Sequence, residues 1–174
     1  MVHETQGKQN QETPQSLASQ IPCHIKAAIA ASIRASNSPT EDDEKGAFHE
    51  EGGQWIISGD GKMIAVPAKP GPANPAVKGG AHMDPTKAVN PSLKDNITGL
   101  GGTWHVHPSG TISEENGTVR NTHIFVQPPS DRDFKETRLG INIVIGASDK
   151  KVYFYNRSGL IGKPVKLKEF LKGC

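Results

Sequence analysis

Two short stretches of this chain carry side chains that could meet at a metal ion. They are Trp104-His105-Val106-His107-Pro108 and Pro129-Ser130-Asp131-Arg132-Asp133. On a β-strand, residues i and i+2 point to the same face, so His105 and His107 would aim both imidazoles at one point. If Ser130 caps a helix, Asp133 stands three residues in and close to the same helix end. Two neutral nitrogens and one carboxylate oxygen form the ligand set of a catalytic zinc, which keeps a fourth position for water. Such an ion lowers the pKa of its water to about 7 and polarises a carbonyl. A carboxylate nearby would take the proton and pass it to the leaving amine. A serine hydroxyl could donate to the oxyanion. Each fragment also has a bland reading. A His-x-His on a strand often serves only hydrogen bonding, and a lone Ser-x-x-Asp is usually a helix cap.

The elements that must position these residues follow from patterning. Residues 1–15, rich in Gln, Glu and Thr, read as a disordered tail, and 16–174 as a single domain. Ile21, Ile25, Ala28, Ile29 and Ile33 recur at helical spacing, which predicts one helix over Ser16–Ala35 with Pro22 tolerated near its start. Asn37–Lys45 reads as an acidic loop. Gln54–Ser58 and Lys62–Val66 read as a hairpin across Gly59-Asp60-Gly61. Prolines and glycines argue against regular structure over most of Pro67–Gly102. Thr103–His107 is expected as a strand, Thr122–Val126 as another, and Asp131–Leu139 as a short helix. Ile141–Ile145 reads as a buried strand paired with Lys151–Asn156. Val165–Lys172 closes the chain as a short strand or helix. The order of elements indicates an α+β domain with a mixed sheet.

Composition sets outer limits. Net charge is +2, from 20 Lys+Arg against 18 Asp+Glu, so no polyelectrolyte partner is implied. No basic cluster is interleaved with aromatics, which argues against nucleic acid. An apolar fraction of 34% with 19 glycines and 13 prolines points to long surface loops around a modest core. Cys23 and Cys174, far apart in sequence, do not read as a disulfide framework or a zinc ribbon. The polar N-terminus lacks a conventional signal peptide, and no apolar run is long enough to span a membrane. The expected location is cytoplasmic, or outside the cell by a route without a cleavable signal.

The arrangement resembles the JAMM (MPN+) family of zinc metallopeptidases, in its bacterial JAB-like form. That family carries a glutamate on an early strand, then His-x-His-Pro, then Ser-x-x-Asp. The matching pieces, in the same order, are Glu50-Glu51-Gly52-Gly53, His105-Val106-His107-Pro108 and Ser130-Asp131-Arg132-Asp133. The resemblance implies a JAMM/MPN-like mixed β-sheet flanked by helices. It also implies Zn2+ on His105, His107 and Asp133, an oxyanion donor in Ser130, a general base in the glutamate, and a protein or peptide substrate. Glu50, three residues before Gly53, is favoured over Glu51 as the base, although a bulge at Gly52-Gly53 would reverse that choice. One departure is the stretch from Pro108 to Pro129, longer than the family's usual gap, which reads as an inserted hairpin beside the metal. With the Pro67–Gly102 loop it is expected to flank the substrate groove. His49 and His82 are weaker candidates, and His123 could reach the site from the insertion. Trp55 and Trp104 read as core anchors. Two other classes fit the same residues: a non-catalytic MPN-like scaffold or binding module, and a metal-dependent hydrolase of a non-protein amide, including a toxin-type effector domain.

Overall fold

A computed structural model describes residues 12–38, 47–71, 74–75, 83–109, 111–113, 119–121 and 125–174. In chain order the elements are α1 (Pro14–Ser19), α2 (Cys23–Ser36), β1 (Ala47–Phe48), β2 (Glu51–Ser58), β3 (Met63–Pro67), β4 (Asn74–Pro75), a 3-10 turn (Pro91–Lys94), β5 (Ile97–His107), β6 (Thr111–Ser113), β7 (Val119–Asn121), α3 (Asp131–Lys135), β8 (Ile141–Gly146), β9 (Lys151–Asn156), β10 (Gly159–Leu160), β11 (Val165–Lys166) and α4 (Leu167–Phe170). The fold is α+β. Its main sheet runs β10-β9-β8-β5-β2-β3, with β11 also paired to β9. Neighbours are antiparallel except β5 and β8, which run parallel.

Two helices stand where one was expected over Ser16–Ala35. Thr13 caps α1 in a reciprocal box with Ser16, and Pro14 occupies its first turn. The expected tail therefore overlaps α1 at its end, and residues 1–11 lie outside the described residues. The single helix fails at Pro22, which lacks an N–H, disfavours helical backbone before it, and instead caps α2 in extended conformation. Ile21, Ile25, Ile29 and Ile33 nevertheless share one apolar face. They pack on Trp55, Trp104, Ile143 and Phe154 from the sheet. Ile25 and Ile29 are fully buried, each contributing roughly 1.5–3 kcal/mol. Trp104 donates its indole N–H to Ser32 Oγ at 3.0 Å, which pins α2 across β5. The two tryptophans stack with centroids 6.2 Å apart, as core anchors.

The β2–β3 hairpin forms where expected, but β2 begins at Glu51 rather than Gln54. β5 is also longer than expected, starting at Ile97 instead of Thr103. Its glycines were misleading because here they serve packing. Trp55 lies over Gly101 and Gly102, where a Cβ would come within 2.3 Å of its ring. Gly101 is also the residue skipped in the β2–β5 register between Trp55 and Ile56. The helix expected over Asp131–Leu139 stops at Lys135. The chain end holds both a strand, β11, and a helix, α4. Within the insertion, β6 and β7 pair antiparallel as a two-stranded ribbon. The expected strand at Thr122–Val126 is described only from Phe125, its first three residues lying outside the described set, as do residues 39–45 of the acidic loop.

Cys23 and Cys174 are joined in a disulfide, contrary to the sequence reading. Their separation of 151 residues hid the pairing. Both α2 and α4 cover the same sheet face, with Lys26 Nζ of α2 5.0 Å from the centre of the Phe170 ring of α4. The bond ties the start of α2 to the last residue. No described helix is long and apolar enough to cross a membrane.

Candidate metal centre

The sheet face opposite α2 carries the polar cluster. In register, Gly52 of β2, His105 of β5, Val144 of β8 and Tyr153 of β9 form one row across it. Gln54, Thr103, Asn142 and Tyr155 form the row beside it. His107 pairs with Gly146, and Glu50 lies one residue before β2, beyond the Glu51–Val106 pair. Alternation therefore sends Glu50, His105 and His107 to one face, while Trp104 and Val106 enter the core. Asp133 arrives from the opposite direction, on the first turn of α3.

His105 Nε2 lies 3.2 Å from His107 Nε2 and 3.0 Å from Asp133 Oδ1. His107 Nε2 lies 3.7 Å from Asp133 Oδ2 and 3.8 Å from Glu50 Oε1. One ligand atom from each of His105, His107 and Asp133 falls within 4.8 Å of the others, so the group could hold a metal ion. The donor set fits. His107 Nδ1 is 2.7 Å from the Val126 carbonyl oxygen, which can only accept. The proton therefore sits on Nδ1, and Nε2 presents its lone pair to the cluster. His105 Nε2–H faces two acceptors, His107 Nε2 and Asp133 Oδ1. A metal cation would take the place of that proton, as ligand deprotonation requires.

Burial and the charges within the cluster shift each of its four groups. Burial works against a charged His105, but the Asp133 hydrogen bond and the charges of Glu50 and Asp133 outweigh it, so its pKa is raised. Burial, reinforced by charged His105, lowers His107 to about 4. Burial raises Glu50 to about 7, against the pull of His105 and a hydrogen bond from the Met83 backbone N–H. Asp133 resists its own burial: hydrogen bonds from His105 and Ser130 hold it below the usual carboxylate range. Ser130 caps α3, and its hydroxyl donates to Asp133 Oδ2 at 2.6 Å. Its role in the described geometry is to position Asp133. Asp131, beside it, is an exposed first-turn carboxylate.

Glu51 is turned to the other face, where it pairs with buried His49 at 2.9 Å. No register shift occurs at Gly52-Gly53; the shifts fall at Trp55/Ile56 and Ile57/Ser58. Gly52 is required by space. A Cβ there would stand 2.3 Å from Trp104 O and 2.8 Å from His105 Cα. His82 and His123 lie outside the described residues. Sequence reasoning missed three contributors. Gln127 holds the segment that presents Val126, donating to Pro108 O and Phe125 O at 3.0 and 2.9 Å and accepting from Ser148 N–H at 2.7 Å. Asn142 accepts from Thr103 Oγ1 at 3.0 Å and ties down Arg138 and Gly140. Tyr155 lines a small cavity with His105 and Asp133. Only the polar residue Asn142 in an otherwise apolar strand offered a sequence signal. No protein-family model, curated protein or solved structure matches the chain.

Proposed function

We propose that this chain is a zinc-dependent hydrolase of the JAMM (MPN+) type, cleaving a peptide or isopeptide bond in a protein or peptide substrate. One observation carries the reading. Two imidazole Nε2 atoms and a carboxylate oxygen converge, and a fourth group, the buried Glu50 carboxyl, stands at their edge without belonging to the ligand set. Mixed-sheet architecture and the order of the contributing elements support it.

When bound, zinc supplies Lewis acidity, polarising the scissile carbonyl and making water a competent nucleophile near neutral pH. His105, His107 and Asp133 would hold the ion, and the Val126 carbonyl, by accepting from Nδ1, leaves the His107 Nε2 lone pair facing it. Glu50 Oε1 accepts the proton from the attacking water as its oxygen bonds to the carbonyl carbon. A buried carboxylate placed at the edge of the cluster can take that proton and return it. It goes to the amine nitrogen as the C–N bond breaks. The Ser130 hydroxyl can serve the oxyanion only by leaving Asp133 Oδ2, because it has a single hydrogen.

The test is metal content together with turnover. Protein purified without a histidine tag is expected to hold about one zinc per chain. His107→Ala should lose most of it with the fold retained, and a library of amide and isopeptide substrates should be cleaved only by the loaded native protein. Absence of zinc together with failure to take up added zinc would sink the hydrolase reading.

A further inference from the structure

Beside the metal centre lies a groove of about 460 Å³, within the roughly 300–1,000 Å³ range of ligand pockets. Four cations line it, Lys69, Lys87, Arg132 and Arg138, against two carboxylates, Asp84 and Glu136. The carboxylates are engaged locally. Glu136 pairs with Arg132 at 2.9 Å. Asp84 accepts from the Thr86 N–H at 2.9 Å and its hydroxyl at 2.7 Å. Lys69, Lys87 and Arg138 make no ion pair among the described residues. A backbone hydrogen bond from Lys69 N–H to Lys87 O, 2.7 Å long, sets the two lysines side by side. In a chain whose whole net charge is +2, this is a local concentration of positive charge rather than a basic surface.

The groove adjoins the metal cluster. Met83, Glu136 and Arg138 line it and also line the small cavity that touches His105 and Asp133. Met83 is the residue whose backbone N–H donates to Glu50. A ligand filling the groove would therefore lie beside the cluster, separated from it by the shared wall of Met83, Glu136 and Arg138.

We propose that this groove receives a carboxylate-bearing segment of the substrate, either an acidic side chain or a free C-terminal carboxylate, adjacent to the scissile bond. The term substrate rests on the hydrolase reading; the binding does not. Guanidinium and ammonium groups that form no ion pair among the described residues, although the charges of Arg138 and Lys87 also reach Asp84, are suited to carboxylates beside a concave wall, Arg138 through paired N–H donors and the lysines as point charges.

The experiment measures binding by fluorescence anisotropy with three labelled hexapeptides. One is acidic and amidated, one neutral with a free C-terminal carboxylate, and one neutral and amidated. At least one anionic peptide is expected to bind ten-fold or more tightly than the neutral amidated one, and the preferred arm identifies the carboxylate's source. The preference should weaken in high salt. Lys69→Glu combined with Lys87→Glu should abolish it, with zinc content and circular dichroism unchanged. Arg138→Gln alone should reduce it several-fold. Equal binding of all three peptides, or a preference that survives the charge reversal, overturns the proposal. Cleavage of neutral peptides without any acidic preference would remove the groove and leave the hydrolase. Selective anion binding with no cleavage of any peptide would do the reverse.

Discussion

His107 and Val126 are joined by a 2.7 Å hydrogen bond from the imidazole Nδ1 to the backbone carbonyl. The insertion thus ends by setting the tautomer of a residue in the cluster that could hold a metal, and Gln127 holds that carbonyl in place. Gln127→Ala is expected to keep the fold but lower zinc affinity by roughly 10–100-fold, the usual cost of losing an outer-shell partner. Competition with a chelator measures this. Nitrogen-15 spectra of the native protein should show His107 protonated at Nδ1, and a proton on Nε2 would contradict the assignment.

Glu50 and Glu51 are separable by substitution. Glu50→Gln should retain zinc and lose hydrolysis by something on the order of 10²–10⁴. Glu51→Gln should leave turnover nearly unchanged, since Glu51 faces His49 across the sheet from the cluster. If neither substitution lowers turnover of a confirmed substrate, another group must accept the water proton.

The buried Glu50 carboxyl also makes stability depend on pH in protein stripped of metal. Its pKa rises from 4.5 to about 7 on folding, chiefly through burial. Below pH 4.5 it is protonated both folded and unfolded and has no effect. Between 4.5 and 7 the unfolded chain releases the proton first, so the fold loses stability as pH rises. Above 7 the penalty is complete, at most about 3 kcal/mol, a net figure in which the attraction to His105 is already included. His107, lowered to about 4, acts oppositely, costing stability as pH falls from 6.5 through 4. Comparing the native protein with Glu50→Gln cancels that contribution. The variant should be the more stable of the two at pH 8, and the gap should close by pH 4.5. Denaturant titrations at both pH values test it, and a gap independent of pH would count against the assignment.

Gly52→Ala should push β2 away from β5, because the added methyl meets backbone atoms that cannot rotate aside. A loss of roughly 1–3 kcal/mol is expected. Because the clash falls at Trp104 O and His105 Cα, zinc affinity should drop as well. Unchanged metal binding would mean that the strands absorb the methyl elsewhere.

The cluster was legible because its chemistry follows short-range rules. Alternation along β5 sends His105 and His107 to one face, and Ser130-x-x-Asp133 marks a helix start. The supporting parts obey longer-range constraints that local patterns do not carry. Val126 contributes a carbonyl, which every residue has. The glycines of β5 read as breaks in sequence, but Trp55 lies across Gly101 and Gly102 and requires them. Pro22 divided a helix whose apolar face remains continuous over the break. The Cys23–Cys174 pair depended on which sheet face each terminal helix covers, a matter of topology.

The same disulfide closes residues 23 to 174 into one covalent ring. A protease that nicks the chain once anywhere inside that ring, including the Pro/Gly-rich stretch near the lysine groove, releases no fragment. The two pieces stay attached at the base of α2, with the sheet still held between them. A nicked molecule would run as one species under denaturing, non-reducing electrophoresis and separate into two only after a thiol is added. Reduction would therefore leave the sheet's hydrogen bonds and packing as all that joins the two pieces.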